Sequence, residues 1–404
     1  MELDNANLRD RALFNPAVSE LPKNAFAALA ELLTGIVPPE GEATLNVAVG
    51  DPQGHCPVPL NIIAERGGSW GRYPPLIGTD ELRTAILGWL SRRFVIGAQW
   101  VHHQLDVLPT AGTREALFLA AVMAVPKQSH QRPAVLLPNP SYPGYVGSAI
   151  MAGAEPIFVA ARPENGHMPD FESLDTNVLN RTALVYFTNP TNPEGAAAPA
   201  DYLARLIKLS ERYGFILVVD ECCIDLYTRE APVGVLSVCE RQNLSTERLL
   251  VFNSLSKRSL SAGLRSGFAV GNPNLISTMR VVRSYTGATI PIPLQAASAT
   301  LWADDEHVCH IRRDLDEKMT LAEAHLEDRF GRVRPDGGFF LWLRVNDDLA
   351  VAKRLWARGL KVMPGSLLGH GSGFDNPAQD HIRIAVVHET REFERLIALL
   401  TSLI

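Results

Sequence analysis

Short runs of apolar, β-branched residues recur through the middle of the chain, and each is followed by a turn and often by a helical pattern. Runs of this kind are typical of strands that are covered on both faces of a sheet. Strands that alternate with helices predict a mostly parallel α/β sheet. The predicted strands cover residues 106–109, 134–137, 156–159, 183–187, 216–219, 249–252 and 267–270, and the clearest helices cover residues 113–125 and 200–213.

The two ends of the chain lack this alternation. The first 49 residues contain one amphipathic helix, predicted for residues 25–33, and the pattern changes again beyond about residue 304. We therefore predict a large domain over residues 50–304 and a smaller α+β domain that residues 1–49 and 305–404 form together. The elements predicted beyond residue 304 are a charged helix, a strand over 338–345, a helix over 349–358 and a strand over 381–387.

Composition and charge place the chain among ordinary globular proteins. Its 404 residues are enough for two domains. They are 46% hydrophobic and 20% charged, a composition unlike that of a disordered chain. The net charge of −6 offers no basic field to nucleic acid or to an anionic membrane. The longest apolar run, residues 116–126, is shorter than the ~20 residues that span a bilayer. We expect neither nucleic acid nor a membrane as a partner.

Cysteine usage and the start of the chain bear on the cellular compartment. The cysteines follow neither a C-x-x-C pattern nor a zinc-binding spacing, so we expect reduced thiols and no metal site. The acidic, polar start of the chain is unlike a secretory or transit peptide. Together these features predict a cytoplasmic protein. The five cysteines are Cys56, Cys222, Cys223, Cys239 and Cys309.

Polar segments follow four of the predicted strands at their carboxyl ends. In open α/β sheets, ligands bind beyond these ends, where loops and helix N-termini converge. The four segments offer a helix start, an asparagine-rich turn, a carboxylate and a group of serines with a lysine. They are Thr110-Ala111-Gly112-Thr113, Asn189-Pro190-Thr191-Asn192-Pro193-Glu194-Gly195, Asp220-Glu221, and Asn253-Ser254-Leu255-Ser256-Lys257, with Arg265 eight residues after the lysine.

These groups suit pyridoxal 5'-phosphate (PLP) as a cofactor. PLP needs a lysine for its Schiff base, which Lys257 can supply, and a carboxylate facing its pyridinium nitrogen, which Asp220 can supply. Its phosphate needs hydrogen-bond donors and a cation. The candidate phosphate ligands are the backbone N–H groups of Gly112 and Thr113, the hydroxyls of Ser254 and Ser256, and the guanidinium of Arg265.

Each of these features also has an ordinary structural explanation. Asp220 could cap the helix that follows it, and the Asn/Pro-rich segment could be no more than a rigid turn. Lys257 alone could be a solvated side chain. Their joint occurrence at the ends of successive strands favours a cofactor site over these separate explanations.

Several segments with a specific spacing carry a resemblance to a known family. They are Ser254-Leu255-Ser256-Lys257, Gly263-Leu264-Arg265-Ser266-Gly267, residues 189–195, residues 112–118 and Asp220-Glu221-Cys222. The sequence resembles the fold-type I, class I/II PLP-dependent aminotransferases, and most of all bacterial N-succinyldiaminopimelate aminotransferases. The resemblance extends from Gly50-Asp51-Pro52 to Arg383. It implies a seven-stranded large domain with a smaller α+β domain, and amino transfer between an amino acid and a 2-oxo acid.

The resemblance also implies roles for individual residues. Lys257 would carry the cofactor and move the proton at the substrate Cα, and Asp220 would pair with the pyridinium nitrogen. Asn192 would hydrogen-bond the phenolic oxygen of the cofactor, and Tyr142 would stack on its ring. Arg383 would bind the substrate α-carboxylate, because a planar guanidinium can hold a carboxylate through two hydrogen bonds.

Two further residues are implied at the edge of the site. Gly50 would line the substrate pocket. Tyr73 would reach the phosphate in the neighbouring subunit, so the resemblance implies a homodimer with shared active sites.

One position departs from the family pattern. Three residues after the aspartate the family usually has a tyrosine that donates to the cofactor ring oxygen, whereas this chain has Cys223. A thiol is a weak donor. Tyr227 follows closely in sequence and is a possible substitute. The departure leaves open a different PLP reaction, such as elimination, cyclisation or side-chain replacement at Cβ or Cγ.

Two classes outside PLP chemistry compete with this interpretation. A nicotinamide-dependent dehydrogenase would need a glycine fingerprint between a strand and a helix, but the stretch Gly369-His370-Gly371-Ser372-Gly373 has no helical pattern behind it. A non-catalytic binding protein could keep the fold, and Cys223 would fit that. The joint presence of Lys257, Asp220, Asn192 and Arg265 argues for an enzyme.

Overall fold

A large sheet forms the centre of the computed structural model, which describes residues 15–41, 43–51, 53, 56–127, 129–371 and 375–403. The strand order is β2-β8-β7-β6-β5-β3-β4. β8 is antiparallel to both of its neighbours, and the other pairs are parallel. The predicted α/β fold is therefore confirmed, with all seven predicted strands in one sheet. The strands are β2 (Asp106–Thr110), β3 (Ala134–Asn139), β4 (Glu155–Ala160), β5 (Thr182–Thr188), β6 (Ile216–Asp220), β7 (Leu249–Ser254) and β8 (Gly267–Gly271).

Helices cover both faces of this sheet. Successive residues of a strand point to opposite faces, so a doubly covered strand is apolar throughout. In β6, for example, Leu217 and Val219 belong to the core on one face and Val218 to the core on the other. The helices of this part of the chain are α2 (Leu60–Glu65), α3 (Asp80–Phe94), α4 (Ala98–Gln104), α5 (Arg114–Ala124), α6 (Pro143–Met151), α7 (Thr176–Asn180), α8 (Ala200–Tyr213), α9 (Val235–Gln242), α10 (Leu255–Arg258), α11 (Pro273–Arg283) and α12 (Ile292–Ala303).

Helix α8 illustrates how local sequence sets these boundaries. Its apolar side chains recur on one face, which packs in the core with Leu203 and Ile207. Gly214 follows the helix in the left-handed conformation (φ 79°), which glycine adopts without steric cost. Its N–H donates to the carbonyl of Ser210 at 2.9 Å and ends the helix there. The predicted and observed bounds of α8 agree.

A second hydrophobic core contains residues from both ends of the chain. Leu45 and Val47 pack there with Leu360, Ile384 and Phe393. β1 pairs in parallel with β10, and β12 lies between β11 and β9 in an antiparallel sheet. The division into domains at residues 50 and 304 stays a prediction. The elements are α1 (Ala25–Leu32), β1 (Leu45–Asn46), α13 (Glu306–Phe330), β9 (Phe340–Arg344), α14 (Asp348–Trp356), β10 (Leu360–Lys361), β11 (Met363–Pro364), β12 (His381–Ala385) and α15 (Thr390–Leu403).

The terminal strands are shorter than the apolar pattern predicts. β9 starts at Phe340 rather than at residue 338, because Gly338 has a φ of 86° and cannot continue an extended strand. Among the described residues, no helix combines the length and the apolar character needed to cross a membrane.

Candidate active site

Lys257 lies on α10, a single helical turn that follows β7 directly. Ser254 caps this turn, and its Oγ accepts a hydrogen bond from the N–H of Ser256 at 3.1 Å. The Nζ of Lys257 donates to the carbonyl of Gly50 and lies 4.9 Å from the ring centre of Phe339. The amine therefore points towards the segment that precedes α2, which contains Gly50.

The surroundings of Lys257 disfavour its charged form. Burial lowers the pKa of the Lys257 amine, because a low-dielectric environment destabilises an ammonium ion. The carboxylate of Asp51 opposes this shift, whereas the cation of Arg383 adds to it. A less basic amine is what a lysine needs in order to act as a nucleophile or a general base near neutral pH.

Asp220 ends β6, the strand next to β7, and two donors hold its carboxylate. Its Oδ2 accepts from the hydroxyl of Tyr145 at 2.7 Å, and its Oδ1 accepts from the N–H of Cys222 at 3.1 Å. The hydroxyl of Tyr145 also lies 3.1 Å from the Oγ1 of Thr188. Hydrogen bonds to both oxygens fix the orientation of the carboxylate.

The loops after β2 and before β8 form a cradle for an anion. Gly112 has a φ of 76°, a conformation that favours glycine, and its Cα lies close to the guanidinium of Arg265. The hydroxyls of Thr110 and Ser266 are buried and have no hydrogen-bond partner among the described residues. Thr110 lies opposite Gly267, the residue after Ser266, so both hydroxyls lie at the same end of the sheet. Donors and a cation in this arrangement fit the phosphate of PLP.

Arg383 and Asn192 meet although they lie far apart in sequence. Arg383, on β12, donates through Nη1 to the Oδ1 of Asn192 at 3.3 Å and through Nη2 to the carbonyl of Ala48 at 2.9 Å. Its guanidinium carbon lies 4.4 Å from the ring centre of Phe340. Burial lowers the pKa of Arg383 to about 10, which leaves the side chain cationic at neutral pH.

Tyr142 lies on the wall of a cleft between these groups. Its ring packs edge-to-face on Tyr145, with the ring centres 5.3 Å apart, and its hydroxyl accepts from the Nε of Arg114 at 2.7 Å. Arg383 and Asn192 line the same cleft, together with Leu368. The cleft thus has a cation at one end and an aromatic face along its side.

Cys223 and Tyr227 have different environments. Burial raises the pKa of the Cys223 thiol to about 11, so the thiol stays protonated and remains a weak donor. The ring of Tyr227 lies 4.0 Å from the guanidinium carbon of Arg312 and 5.2 Å from that of Arg93. Both arginines also pair with Asp225, so Tyr227 lies against this ionic cluster. Among the described residues, the hydroxyl of Tyr227 has no recorded contact with Cys223.

Gly50 and Tyr73 complete the set of predicted site residues. A Cβ at Gly50 would lie 2.8 Å from the Cζ of Phe340, so a larger residue at this position would collide with the Phe340 ring. Tyr73 is fully exposed and is not brought to the site of its own chain. Pro52 and residues 372–373 of the glycine-rich stretch lie outside the described residues.

Two residues at the site escaped the sequence analysis. Tyr145 bonds Asp220, and Arg114 bonds Tyr142. Tyr145 follows Tyr142 by three residues, and Arg114 follows Gly112-Thr113 directly, so proximity to predicted site residues was the available signal. Nothing in the residue types revealed which partners they bind.

Comparisons with known proteins agree with this geometry. The profile of the family "Aminotransferase class I and II" matches residues 43–400. LL-diaminopimelate aminotransferase of Dehalococcoides mccartyi is 28% identical over 90% of this chain and 92% of its own length. A crystal structure of an aminotransferase from Neisseria meningitidis is 32% identical, with a TM-score of 0.91 over 97% of this chain and 100% of that one. A probable N-succinyldiaminopimelate aminotransferase from Thermus thermophilus shares the fold at 21% identity, with a TM-score of 0.80 over 94% and 100% of the two chains.

Proposed function

Because the chain belongs to the class I and II aminotransferases and is therefore a PLP-dependent enzyme, we propose that Lys257 is the residue that binds the cofactor covalently. When bound, PLP supplies an electron sink for the bonds at the substrate Cα. The family acts on amino acids and keto acids, and the residues of the cleft have to bind both and to move a proton between them.

The observation that carries this proposal is the position of Lys257 beside Asp220. β6 and β7 are parallel neighbours, so their carboxyl ends place the carboxylate and the lysine at the same edge of the sheet. Asp220, held by Tyr145 and Cys222, would face the pyridinium nitrogen and keep it protonated. Lys257, with its lowered pKa, would take the proton from the substrate Cα and deliver it to the cofactor.

The remaining ring and phosphate contacts follow from the same edge of the sheet. We assign the phosphate to the loops after β2 and before β8, which form the cradle described above, together with the end of β7 and the turn that follows it. Asn192 would donate to the phenolic oxygen, and Tyr142 would stack on the ring. The proposed phosphate ligands are Gly112, Thr113, Ser254, Ser256 and Arg265.

Arg383 is the proposed binding residue for the α-carboxylate of both substrates. Its guanidinium is already oriented by Phe340, Ala48 and Asn192, so little rotational freedom is lost when a carboxylate binds. Gly50, whose carbonyl accepts from Lys257 and whose Cα faces Phe339 and Phe340, is the proposed substrate-pocket residue on this side.

The geometry also supports a preference for amino acids that carry a second carboxylate. Arg114 is exposed, lies at the start of α5, and is bonded to Tyr142 through Nε, which leaves its other N–H groups free to face the cleft. One relative is named for LL-diaminopimelate, an amino acid with a second carboxylate. We propose a substrate of this class.

A substrate panel tests the proposed reaction. The absorbance of the PLP-loaded protein should change on mixing with a dicarboxylic amino acid and return on adding a 2-oxo acid. Arg114→Gln should weaken the response to dicarboxylic amino acids and spare the response to alanine. Release of ammonia without any need for a 2-oxo acid would instead favour the elimination chemistry that Cys223 leaves open.

A homodimer with shared sites is the proposed assembly. Tyr73 is fully exposed, and Leu60, Trp70 and Tyr285 expose 72%, 55% and 86% of their surfaces, which is unusual for large apolar side chains. We propose that a second copy of this chain covers them and that Tyr73 reaches the phosphate bound by that copy.

Hybrid dimers test this assembly. Mixing Lys257→Ala chains with Tyr73→Phe chains creates one site with both wild-type residues, so activity should rise above that of either variant alone. Full activity in a monomeric fraction would contradict the shared site.

The cysteines are all free, which suits a reducing compartment, and we propose the cytoplasm as the location.

A further inference from the structure

The turn that carries Lys257 is too short to be stable by itself. α10 has four residues, and an isolated helix of this length pays the full cost of nucleation. Its position must therefore be set by contacts at its two ends. Ser254 caps the start, and Arg258, the residue directly after Lys257, lies at the other end.

Arg258 is the most heavily bonded residue of this turn. Its side chain is fully buried and donates through Nη1 to the carbonyl of Leu301 at 2.7 Å. Its Nη2 donates to the carbonyl of Asp304 at 3.1 Å and to the Oδ1 of Asp305 at 2.5 Å. Its Nε donates to the Oδ2 of Asp225 at 2.9 Å. Such a fork of donors fixes both the side chain and the backbone that carries it.

Asp225 connects Arg258 to two other helices. Arg93, on α3, donates to its Oδ1 at 2.6 Å, and Arg312, on α13, donates to the same oxygen at 3.4 Å and to the Asp225 carbonyl at 2.7 Å. Asp225 is buried, so it would be unstable without cationic partners. Because three arginines share it, loss of one partner leaves its charge compensated.

We propose that Arg258 is a positioning residue for Lys257: its anchorage to Asp225 and to the 301–305 segment holds the lysine turn so that the amine stays half-buried against the carbonyl of Gly50. The inference rests on the proposed role of Lys257. None of the candidate cofactor-binding segments identified in the sequence includes Arg258, and its side chain is fully buried. It acts through the backbone it shares with its neighbour.

The test uses the PLP-loaded, full-length protein and two Arg258 variants. Arg258→Gln removes the charge, and Arg258→Lys keeps the charge but cannot reach all four acceptors at once. A looser turn admits water to the lysine nitrogen, and hydration favours its protonated form. The midpoint of the absorbance titration of the lysine-linked cofactor should therefore move to higher pH in both variants. The matched control is Arg93→Gln, which also removes a cation from Asp225 but leaves α10 anchored.

The control separates positioning from general stability. Thermal unfolding should occur at lower temperature in Arg93→Gln and in the Arg258 variants, but only the Arg258 variants should shift the titration. Equal shifts in all three proteins, or no shift in a folded Arg258→Lys or Arg258→Gln protein, would overturn the proposal. If reduction with borohydride does not label Lys257, the proposed function of Lys257 is itself wrong. If Lys257 is labelled but the midpoint of the absorbance titration does not shift in the Arg258 variants, only the positioning role of Arg258 is wrong.

Discussion

The cofactor side and the substrate side of the cleft are built in different ways. On the cofactor side, Asp220 ends one strand of the large sheet, and Lys257 and Gly112 follow two others. The sheet sets where their backbone lies, and local hydrogen bonds such as the Ser254 cap act together with longer-range bonds such as that from Tyr145 to Asp220. On the substrate side, Arg383 is held by contacts with segments that lie nearly two hundred residues or more away in sequence, at Asn192 and Ala48.

This difference indicates how a substitution on each side should affect the protein. Residues at strand ends take their position from a sheet with a continuous core, so single side-chain changes there should alter chemistry more than geometry. The substrate side depends on side-chain contacts between distant segments. A change at Arg383 should therefore affect binding of the substrate without disturbing the cofactor.

The largest expected effect comes from Arg383→Lys. The variant should keep the cofactor absorbance, whereas the apparent affinity for the amino donor should fall roughly tenfold to a hundredfold, because a charged hydrogen bond is worth ~1.5–3 kcal/mol. A titration of the absorbance change with the amino donor measures this. Arg344→Lys, at an exposed arginine on the adjacent strand β9, is the control and should bind normally. Unchanged affinity in Arg383→Lys would move the carboxylate site elsewhere.

A smaller effect on the cofactor side is expected for Cys223→Tyr. A phenolic donor would stabilise the negative ring oxygen of the cofactor and so favour the deprotonated adduct, which should lower the pKa of the lysine-linked cofactor by about one unit, equivalent to ~1.4 kcal/mol. An absorbance titration of both proteins decides the point. Coincident curves would mean that another donor already acts there, and Tyr227→Phe identifies Tyr227 as that donor if its midpoint rises.

The smallest expected effect is that of Tyr145→Phe. It removes one of the two donors to Asp220 but leaves the N–H of Cys222 in place, so cofactor retention during dialysis should fall only several-fold. Tyr186→Phe is the matched control: Tyr186 stacks on Tyr145 at 4.5 Å but donates to the carbonyl of Leu117. Equal loss in both variants would show that packing, not the bond to Asp220, matters.

The sequence predicted the cofactor side better than the substrate side for a physical reason. Doubly covered strands leave continuous apolar runs, and the residue after each run is positioned by the sheet, so Asp220 and Lys257 could be found by local pattern. Arg383 lies on a strand that looks like any surface strand, and only the family resemblance pointed to it. Its contact with Asn192 depends on how the terminal core packs.

The contacts of Tyr145 and Arg258 could not be predicted at all. The bond from Tyr145 to Asp220 requires α6 to place a buried hydroxyl over the end of β6. The cluster around Asp225 brings together residues from α3, α10 and α13. Each depends on long-range packing that leaves no periodic signal along the chain. From sequence alone, an arginine next to a lysine predicts two solvated cations, because charged side chains are seldom fully buried.

Reductive trapping shows whether Lys257 is the residue that binds the cofactor covalently. The PLP-loaded protein is treated with borohydride, digested and mapped by mass spectrometry, with Lys257→Ala treated in parallel. We expect one labelled peptide, containing Lys257, and no labelled peptide in the variant. Label on a different lysine, or equal label in Lys257→Ala, would contradict it.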